Sequence, residues 1–281
     1  MRIVFCGQTR LDLIHRVDSF PRSGEKHTAI ATALDIGGVA ANAARTAALF
    51  TADAVLVSPV GQGAQLQVVR GFLDAANVAL EPLESASVPA ATLVVEADGT
   101  TSALVPDTAT MPHGFPAADV LEGADALVVD AEVSDVGLAL ARTARQRGIP
   151  VILGVDYPTE SVRSFLDHVD VIIAGAGFSL PTVSDDSLLL WLSSRGVGTV
   201  AQIMSDGAVR AIVDGEAYEL AAEPIEHLED SIGITDVFVG AYAGLSETGS
   251  TLEVLGSAAE VARASVSYQG ALGWGAVMRG E

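Results

Sequence analysis

Asp230-Ser231-Ile232-Gly233-Ile234-Thr235-Asp236-Val237-Phe238-Val239-Gly240-Ala241-Tyr242 is the stretch on which the reading of this chain turns. From Asp236 onward small and apolar residues recur at helical spacing, so residues 233–236 are expected to form a first helical turn. A first turn offers N–H groups without partners inside the helix, together with the positive end of the helix dipole. Anions bind there. A carboxylate at that place, Asp236, is favoured in its charged form and can accept a hydroxyl proton beside a bound phosphate. An ordinary helix start reads the same way, with Thr235 or Asp236 as the cap after a glycine turn, and local sequence alone favours that plainer reading.

Outward from this stretch, short β-rich apolar runs alternate with Ala/Leu-rich amphipathic segments. Strands are expected at 3–6, 54–60, 126–129, 151–155, 171–174 and 199–204, and helices at 40–50, 66–76, 136–147, 162–166 and 188–195. Gly148-Ile149-Pro150 and Gly196-Val197-Gly198 punctuate two of the loops. Such alternation predicts an α/β fold, with a mainly parallel sheet covered by helices on both faces. Residues 11–35 and 88–106 break the pattern with β-branched, polar-interleaved segments, the second of which reads as a hairpin around Asp98-Gly99. A small separate sheet built from both would account for them. Residues 231–268 read as two helices separated by Glu247-Thr248-Gly249-Ser250. No internal repeat or long linker is visible, so residues 1–281 are expected to form a single domain.

Composition fits this architecture. Apolar residues make up 49% of the chain and charged residues 18%, a balance that suits a buried sheet and excludes disorder. Lys and Arg number 15 against 36 Asp and Glu, giving a net charge of −21. So acidic a surface repels a phosphate backbone and argues against nucleic-acid binding. A nucleotide would need local compensation from a metal ion or from helix N-terminal amides. Cys6 is the only cysteine, so no intrachain disulfide can form, and its apolar run Ile3-Val4-Phe5-Cys6 reads as a buried first strand. Met1-Arg2 leads straight into that strand, and the apolar stretch 29–50 is broken by Asp35, Asn42 and Arg45. Neither a leader nor a membrane span is expected, and the predicted location is the cytoplasm.

Other patterns carry less. Gly61-x-Gly63 and Gly175-x-Gly177 lack the third glycine of a dinucleotide fingerprint. Lys26, the only lysine, follows no phosphate-binding loop. His15, His27, His113, His168 and His227 lie far apart without metal-ligand spacing, although His27 is a candidate neighbour of a substrate cleft.

The segment quoted first resembles the C-terminal signature of the ribokinase/PfkB family, D-T-x-G-A-G-D-x-F-x-G-A. Asp230, Gly233, Asp236, Phe238, Gly240 and Ala241 match, and Ser231 is a near match. The resemblance implies that Asp236 is the catalytic base and that the amides of Gly233, Ile234, Thr235 and Asp236 form an anion hole around the transferred phosphoryl group. Ile234 stands where Ala is usual and Thr235 where Gly is usual, adding bulk and restricting φ at that turn.

A second match is Asp35-Ile36-Gly37-Gly38-Val39-Ala40-Ala41-Asn42-Ala43-Ala44, similar to the family's G-G-x-x-x-N-x-A element. By resemblance Gly37 and Gly38 let the backbone approach the substrate, and Asn42 binds its hydroxyls. Asp12, in Gly7-Gln8-Thr9-Arg10-Leu11-Asp12, matches the family's early substrate-binding acid. Taken singly, these are also a strand–helix turn and a helix cap. Met204-Ser205-Asp206-Gly207-Ala208-Val209 is similar to a region that lies against the nucleotide, which makes Ser205, Asp206 and Gly207 nucleotide-binding candidates beside a plain β-turn reading. Residues 258–270 resemble the helix and turn that flank the adenine and a monovalent-cation site. Residues 107–156 are most similar to the ketohexokinase/sulfofructose kinase branch.

The resemblance spans about residues 7–275. It implies a ribokinase-like, doubly wound three-layer α/β/α domain with a small β-sheet lid from about 11–35 and 88–106. It implies a kinase that uses ATP and Mg²⁺, with a monovalent cation, to phosphorylate a hydroxymethyl group of a sugar or small polyol. It further implies a homodimer joined through the lid. Three departures keep other readings open, namely a nucleoside kinase or a weak or silent ligand-binding protein on the same fold. Gly61-Gln62-Gly63-Ala64-Gln65-Leu66 lacks the acid of the usual G-x-D-x-x-G. Ala174-Gly175-Ala176-Gly177-Phe178-Ser179 replaces the Asn-x-x-Glu that helps position Mg²⁺. Thr100-Thr101 stands where relatives often carry an arginine.

Overall fold

The first strand sets the layering. Within β1 (Arg2–Cys6), Ile3 and Phe5 join one hydrophobic cluster while Val4 and Cys6 join another, because successive side chains of a strand point to opposite faces. The computed structural model describes residues 1–50, 53–106, 114, 116 and 120–279. His113 and Asp107 fall outside them.

In chain order there follow β2 (Arg10–Arg16), β3 (Ala31–Gly37), α1 (Val39–Ala47), β4 (Asp53–Val60), α2 (Ala64–Ala75) and β5 (Val78–Glu84). Next come β6 (Ala90–Val95), β7 (Thr101–Leu104), β8 (Ala126–Asp130), α3 (Ser134–Gln146), β9 (Val151–Val155), α4 (Val162–Phe165) and β10 (Val171–Ala174). The chain continues through α5 (Leu188–Ser193), β11 (Thr199–Ile203), β12 (Val209–Val213), β13 (Glu216–Leu220), α6 (Ile234–Leu245), α7 (Thr251–Ser265) and α8 (Trp274–Arg279).

Nine strands form the main sheet in the order β13-β12-β11-β10-β9-β8-β1-β4-β5. Pairings from β11 through β5 are parallel, and the β11–β12 and β12–β13 pairs are antiparallel. Helices α1, α2, α6 and α7 supply side chains to the cluster on one face, and α3, α4 and α5 to the cluster on the other. This is a doubly wound three-layer α/β/α arrangement. A second sheet of four strands, ordered β3-β2-β6-β7, is the small lid-like sheet. Among the described residues no helix is long and apolar enough to cross a membrane.

Three strands are additional to those the sequence pattern picked out. Strand β5 carries Pro82 and acids, and only Val78 and Leu83 are buried; it lies at the edge of the sheet, where such residues are tolerated. Strands β12 and β13 form a hairpin on Asp214 (φ 50°) and Gly215 (φ 85°), two left-handed residues of the kind a tight hairpin turn requires. At the start of α7, Ser250 and Glu253 close a capping box, with Ser250 N–H donating to Glu253 Oε2 at 2.8 Å.

Candidate active site

Helix α6 begins at Gly233, whose φ of 70° is left-handed. A Cβ there would lie 2.7 Å from Ala271 Cβ, so both conformation and space call for glycine. The N–H groups of Ile234, Thr235 and Asp236 fall in the first turn, where the helix supplies no carbonyl to bind them. Ahead of the turn, Asp230 Oδ1 accepts from Ile232 N–H at 3.1 Å and Oδ2 from Gly270 N–H at 3.0 Å, fixing the approach of the chain.

Asp236 is 5% exposed, and its Oδ2 accepts a 2.9 Å hydrogen bond from Asn42 Nδ2. The amide of Asn42 is oriented from its other end, where Oδ1 accepts from Arg45 Nη1 at 3.1 Å. Arg45 in turn pairs with Asp35 at 3.0 Å and donates to the Ile36 carbonyl at 3.2 Å. A chain of polar contacts thus runs from β3 through α1 to α6. Gly240 makes it feasible: a Cβ there would sit 2.4 Å from the Ala43 carbonyl oxygen, so α1 and α6 pack at backbone contact.

Asp12 lies on β2 opposite Asp35 of β3, and Gly37 leaves it room, since a Cβ at Gly37 would be 2.0 Å from Asp12 Oδ2. Gly38, with φ 107°, turns β3 into α1. Arg10 Nε stands 3.4 Å from Asp12 Oδ1, and Arg10 Nη1 stands 3.7 Å from Glu132 Oε1. Neither distance pair is a made hydrogen bond, and Arg10 Nε, Arg10 Nη1, Asp12 Oδ1 and Glu132 Oε1 are all buried without one. Arg10 and Glu132 face a cavity of about 560 Å³ that Gln8, Asp130, Asp156 and Tyr157 also line, among others. It opens beyond the carboxyl ends of β1, β8 and β9, the usual ligand edge of an open α/β sheet.

Burial dominates the electrostatics. It pushes Asp236 up to about 7, helped by the charge of Asp156 and opposed by Asn42 and Arg10. Asp12 is raised to about 6 by burial, with Arg10 opposing. Asp130 is raised to about 8 by burial and by Glu132, although the amides of Gln8, Glu132 and Val133 bind its carboxylate. Burial and Glu132 also raise Tyr157. Thr235 Oγ1 donates to Asp156 Oδ1 at 2.6 Å, tying the first turn of α6 to the end of β9.

Of the residues singled out from sequence, Asp236, Asn42, Asp12, Gly37, Gly38, Gly233, Ile234 and Thr235 gather around this point. Ser205, Asp206 and Gly207 lie apart, in the turn between β11 and β12. There Asp206 Oδ1 accepts from Ala208 N–H at 3.0 Å and Gly207 packs on Arg263 of α7. His27 is exposed on the loop after β2. Arg10, Asp130, Glu132, Asp156 and Tyr157 were not picked out as site residues. The signal for three of them was present: Asp130, Glu132 and Asp156 directly end or follow buried apolar runs, the place where parallel strands deliver side chains to a ligand.

The profile described as pfkB family carbohydrate kinase matches residues 1–273. A ribokinase of Arabidopsis thaliana is 23% identical over 295 residues, covering 96% of this chain and 77% of that protein. The structure of Arabidopsis thaliana ribokinase complexed with ribose and ATP superposes with a TM-score of 0.75 at 20% identity, covering 96% of this chain and 93% of that one. Ribokinase from Thermotoga maritima superposes with a TM-score of 0.75 at 17% identity, covering 96% and 94%.

Proposed function

The chain belongs to the pfkB family of carbohydrate kinases, and from that premise we propose that it transfers the γ-phosphoryl group of ATP to a hydroxymethyl group of an uncharged sugar or small polyol. The observation that carries this reading is the buried Asp236 in the first turn of α6, held by Asn42 beside a left-handed glycine.

Asp236 accepts the proton of the attacking hydroxyl, which then displaces ADP at the γ-phosphorus. The amides of residues 233–236 stabilise charge on the moving phosphoryl group. Asp12 and Asn42 hold acceptor hydroxyls, and the turn at Ser205, Asp206 and Gly207 lies against the nucleotide. Among the described residues no three His, Cys, Asp or Glu side chains gather to hold a metal. Mg²⁺ would be carried largely by the nucleotide phosphates, and Asp156, which lines the cavity, is the residue proposed to help hold it. When bound, Mg²⁺ neutralises charge on the phosphates.

The acceptor is proposed to be uncharged because the one cation lining the cavity among the described residues, Arg10, already stands between Asp12 and Glu132. A phosphate, carboxylate or sulfonate on the acceptor would meet Glu132 and Asp156 as well. A dimer through the small sheet has support in an apolar row across its outer side. Leu34, Leu13, Thr92 and Leu104 are in register across the four strands, with Leu34 47%, Leu13 38% and Leu104 70% exposed. A second copy of the chain is the proposed occupant.

The test is ADP release from ATP and Mg²⁺ with a panel of neutral sugars, polyols, nucleosides, sugar phosphates and sugar acids, run beside thermal-shift binding. A neutral sugar or polyol should release ADP. Binding of sugars with no ADP release from any acceptor would instead establish a silent binding protein, the reading favoured by the bulk of Ile234 and Thr235 at the anion-hole turn.

A further inference from the structure

The small sheet touches the loop leading into α6 through Ile14, Leu93 and Val95, against which Ile232 packs, and through the one ion-pairing side chain described there, Arg16 at the end of β2. Its Nη2 donates to Asp230 Oδ2 at 2.5 Å, and its Nη1 lies 3.0 Å from Glu229 Oε1 and 3.4 Å from the Glu229 carbonyl oxygen. The Asp230 side chain is 1% exposed, so its charge needs a partner inside the protein. The turn after α7 closes on the same spot. Glu229 and Asp230 N–H both donate to the Val266 carbonyl, at 2.8 and 3.3 Å, and Gly270 N–H donates to Asp230 Oδ2. Two further groups reach Glu229: Gln269 Nε2 at 2.9 Å from Oε1, and His227 Nε2 at 3.3 Å from Oε2.

This is the turn that the resemblance associates with a monovalent cation. The residues present do not fit one. An ion there would be held by oxygens, and the oxygens that converge, Asp230 Oδ2, Glu229 Oε1 and the Glu229 carbonyl, already surround a guanidinium. We infer that Arg16 is a built-in cation of this protein, holding the loop that sets the anion-hole turn and making phosphoryl transfer independent of K⁺ and Na⁺.

The physical reason is geometric. Asp230 Oδ1 fixes Ile232 N–H, one residue before Gly233, so whatever neutralises Asp230 sets the start of α6. A guanidinium anchored on β2 is always present at full occupancy, whereas a free ion must be drawn from solution at a concentration set by its affinity. Arg16 is therefore a positioning residue. It touches neither the proposed acceptor site nor Asp236 in any described contact.

The inference rests on the kinase reading for its effect on rate, but not for its effect on the fold. Wild-type protein and Arg16→Ala would be compared in KCl, NaCl and tetramethylammonium chloride at equal ionic strength, with and without millimolar guanidinium. Melting temperature and ADP release would be followed together. Wild type should be indifferent to the cation in both. Arg16→Ala should melt several degrees lower and turn over more slowly, and guanidinium or K⁺ should restore both towards wild type. Arg16→Lys, which keeps a charge on the same strand, should stay indifferent to added ions and serves if the alanine variant does not fold. Activation of the wild type by K⁺ overturns the inference, as does an alanine variant that matches the wild type or that no cation stabilises. A wild type that releases no ADP with any acceptor sinks the kinase reading alone, because the melting temperatures still decide the role of Arg16.

Discussion

Thr235 Oγ1 and Asp156 Oδ1 lie 2.6 Å apart, a hydrogen bond between residues 79 positions distant that joins the first turn of α6 to the strand end lining the cavity. Gly175 closes the third side, since a Cβ there would come within 2.2 Å of Asp156 Oδ1 and 2.5 Å of Thr235 Oγ1. A threonine where the family usually has glycine is thus accommodated by a glycine in the segment that stands in place of the family's Asn-x-x-Glu. The two departures noted separately in the sequence meet in space.

Removing that hydroxyl should be felt. Thr235→Val takes the donor away from Asp156 while keeping the shape, and is expected to cost about 1–3 kcal/mol of stability. Equilibrium urea unfolding measures it; an unchanged midpoint at unchanged slope would show that the bond contributes nothing.

Asp236→Asn keeps the packing and the contact distance to Asn42 but cannot accept the proton. Turnover in the ADP-release assay should drop by about 10²–10⁴-fold with nucleotide affinity little altered. Full activity in the asparagine variant would remove Asp236 from the mechanism.

The raised Asp236 gives two pH effects of known sign. Activity should climb through about pH 7 as the base loses its proton, and Asp156→Asn, which deletes a neighbouring negative charge, should shift that limb to lower pH. Stability should move the other way. Between its ordinary value of 3.8 and about 7, Asp236 holds more proton in the folded state than in the unfolded chain, so its contribution falls as pH rises across that window. Asp12, raised to about 6, and Asp130, raised to about 8, act in the same sense. Urea midpoints measured from pH 5 to 8 should decline with pH in the wild type and less steeply in Asp236→Asn; parallel lines for the two would contradict this.

Leu13 lies at the middle of the apolar row on the small sheet, paired with Leu34 on one side and Thr92 on the other. Leu13→Asp should convert a dimer to a monomer in light scattering without unfolding the main sheet. A wild type that is already monomeric at micromolar concentration would dispose of the dimer.

Much of the fold was legible because buried parallel strands leave long apolar runs that periodicity detects. Strand β10 (Val171–Ala174) was marked to the residue, and strand β9 (Val151–Val155) likewise. Strand β5 and the β12–β13 hairpin were not, because edge and antiparallel strands face water on one side and carry the prolines and acids that mimic loops. In the candidate site, Asp236 and Asn42 were marked by local motifs that pack α1 on α6. Arg10, Glu132 and Tyr157 were invisible as a group, since each belongs to a different segment and only the cavity relates them.

By itself the sequence determined the alternation of strand and helix, the glycines at the tight approaches, and the acid at the start of the last long helix pair. These are local matters of periodicity, φ preference and capping. Only the tertiary structure decided that Arg16 neutralises Asp230 across 214 positions, and that Thr235, Asp156 and Gly175 interlock. Charge pairing and steric fit depend on distances through space, and those are fixed when the sheets and helices pack, not by the order of residues along the chain.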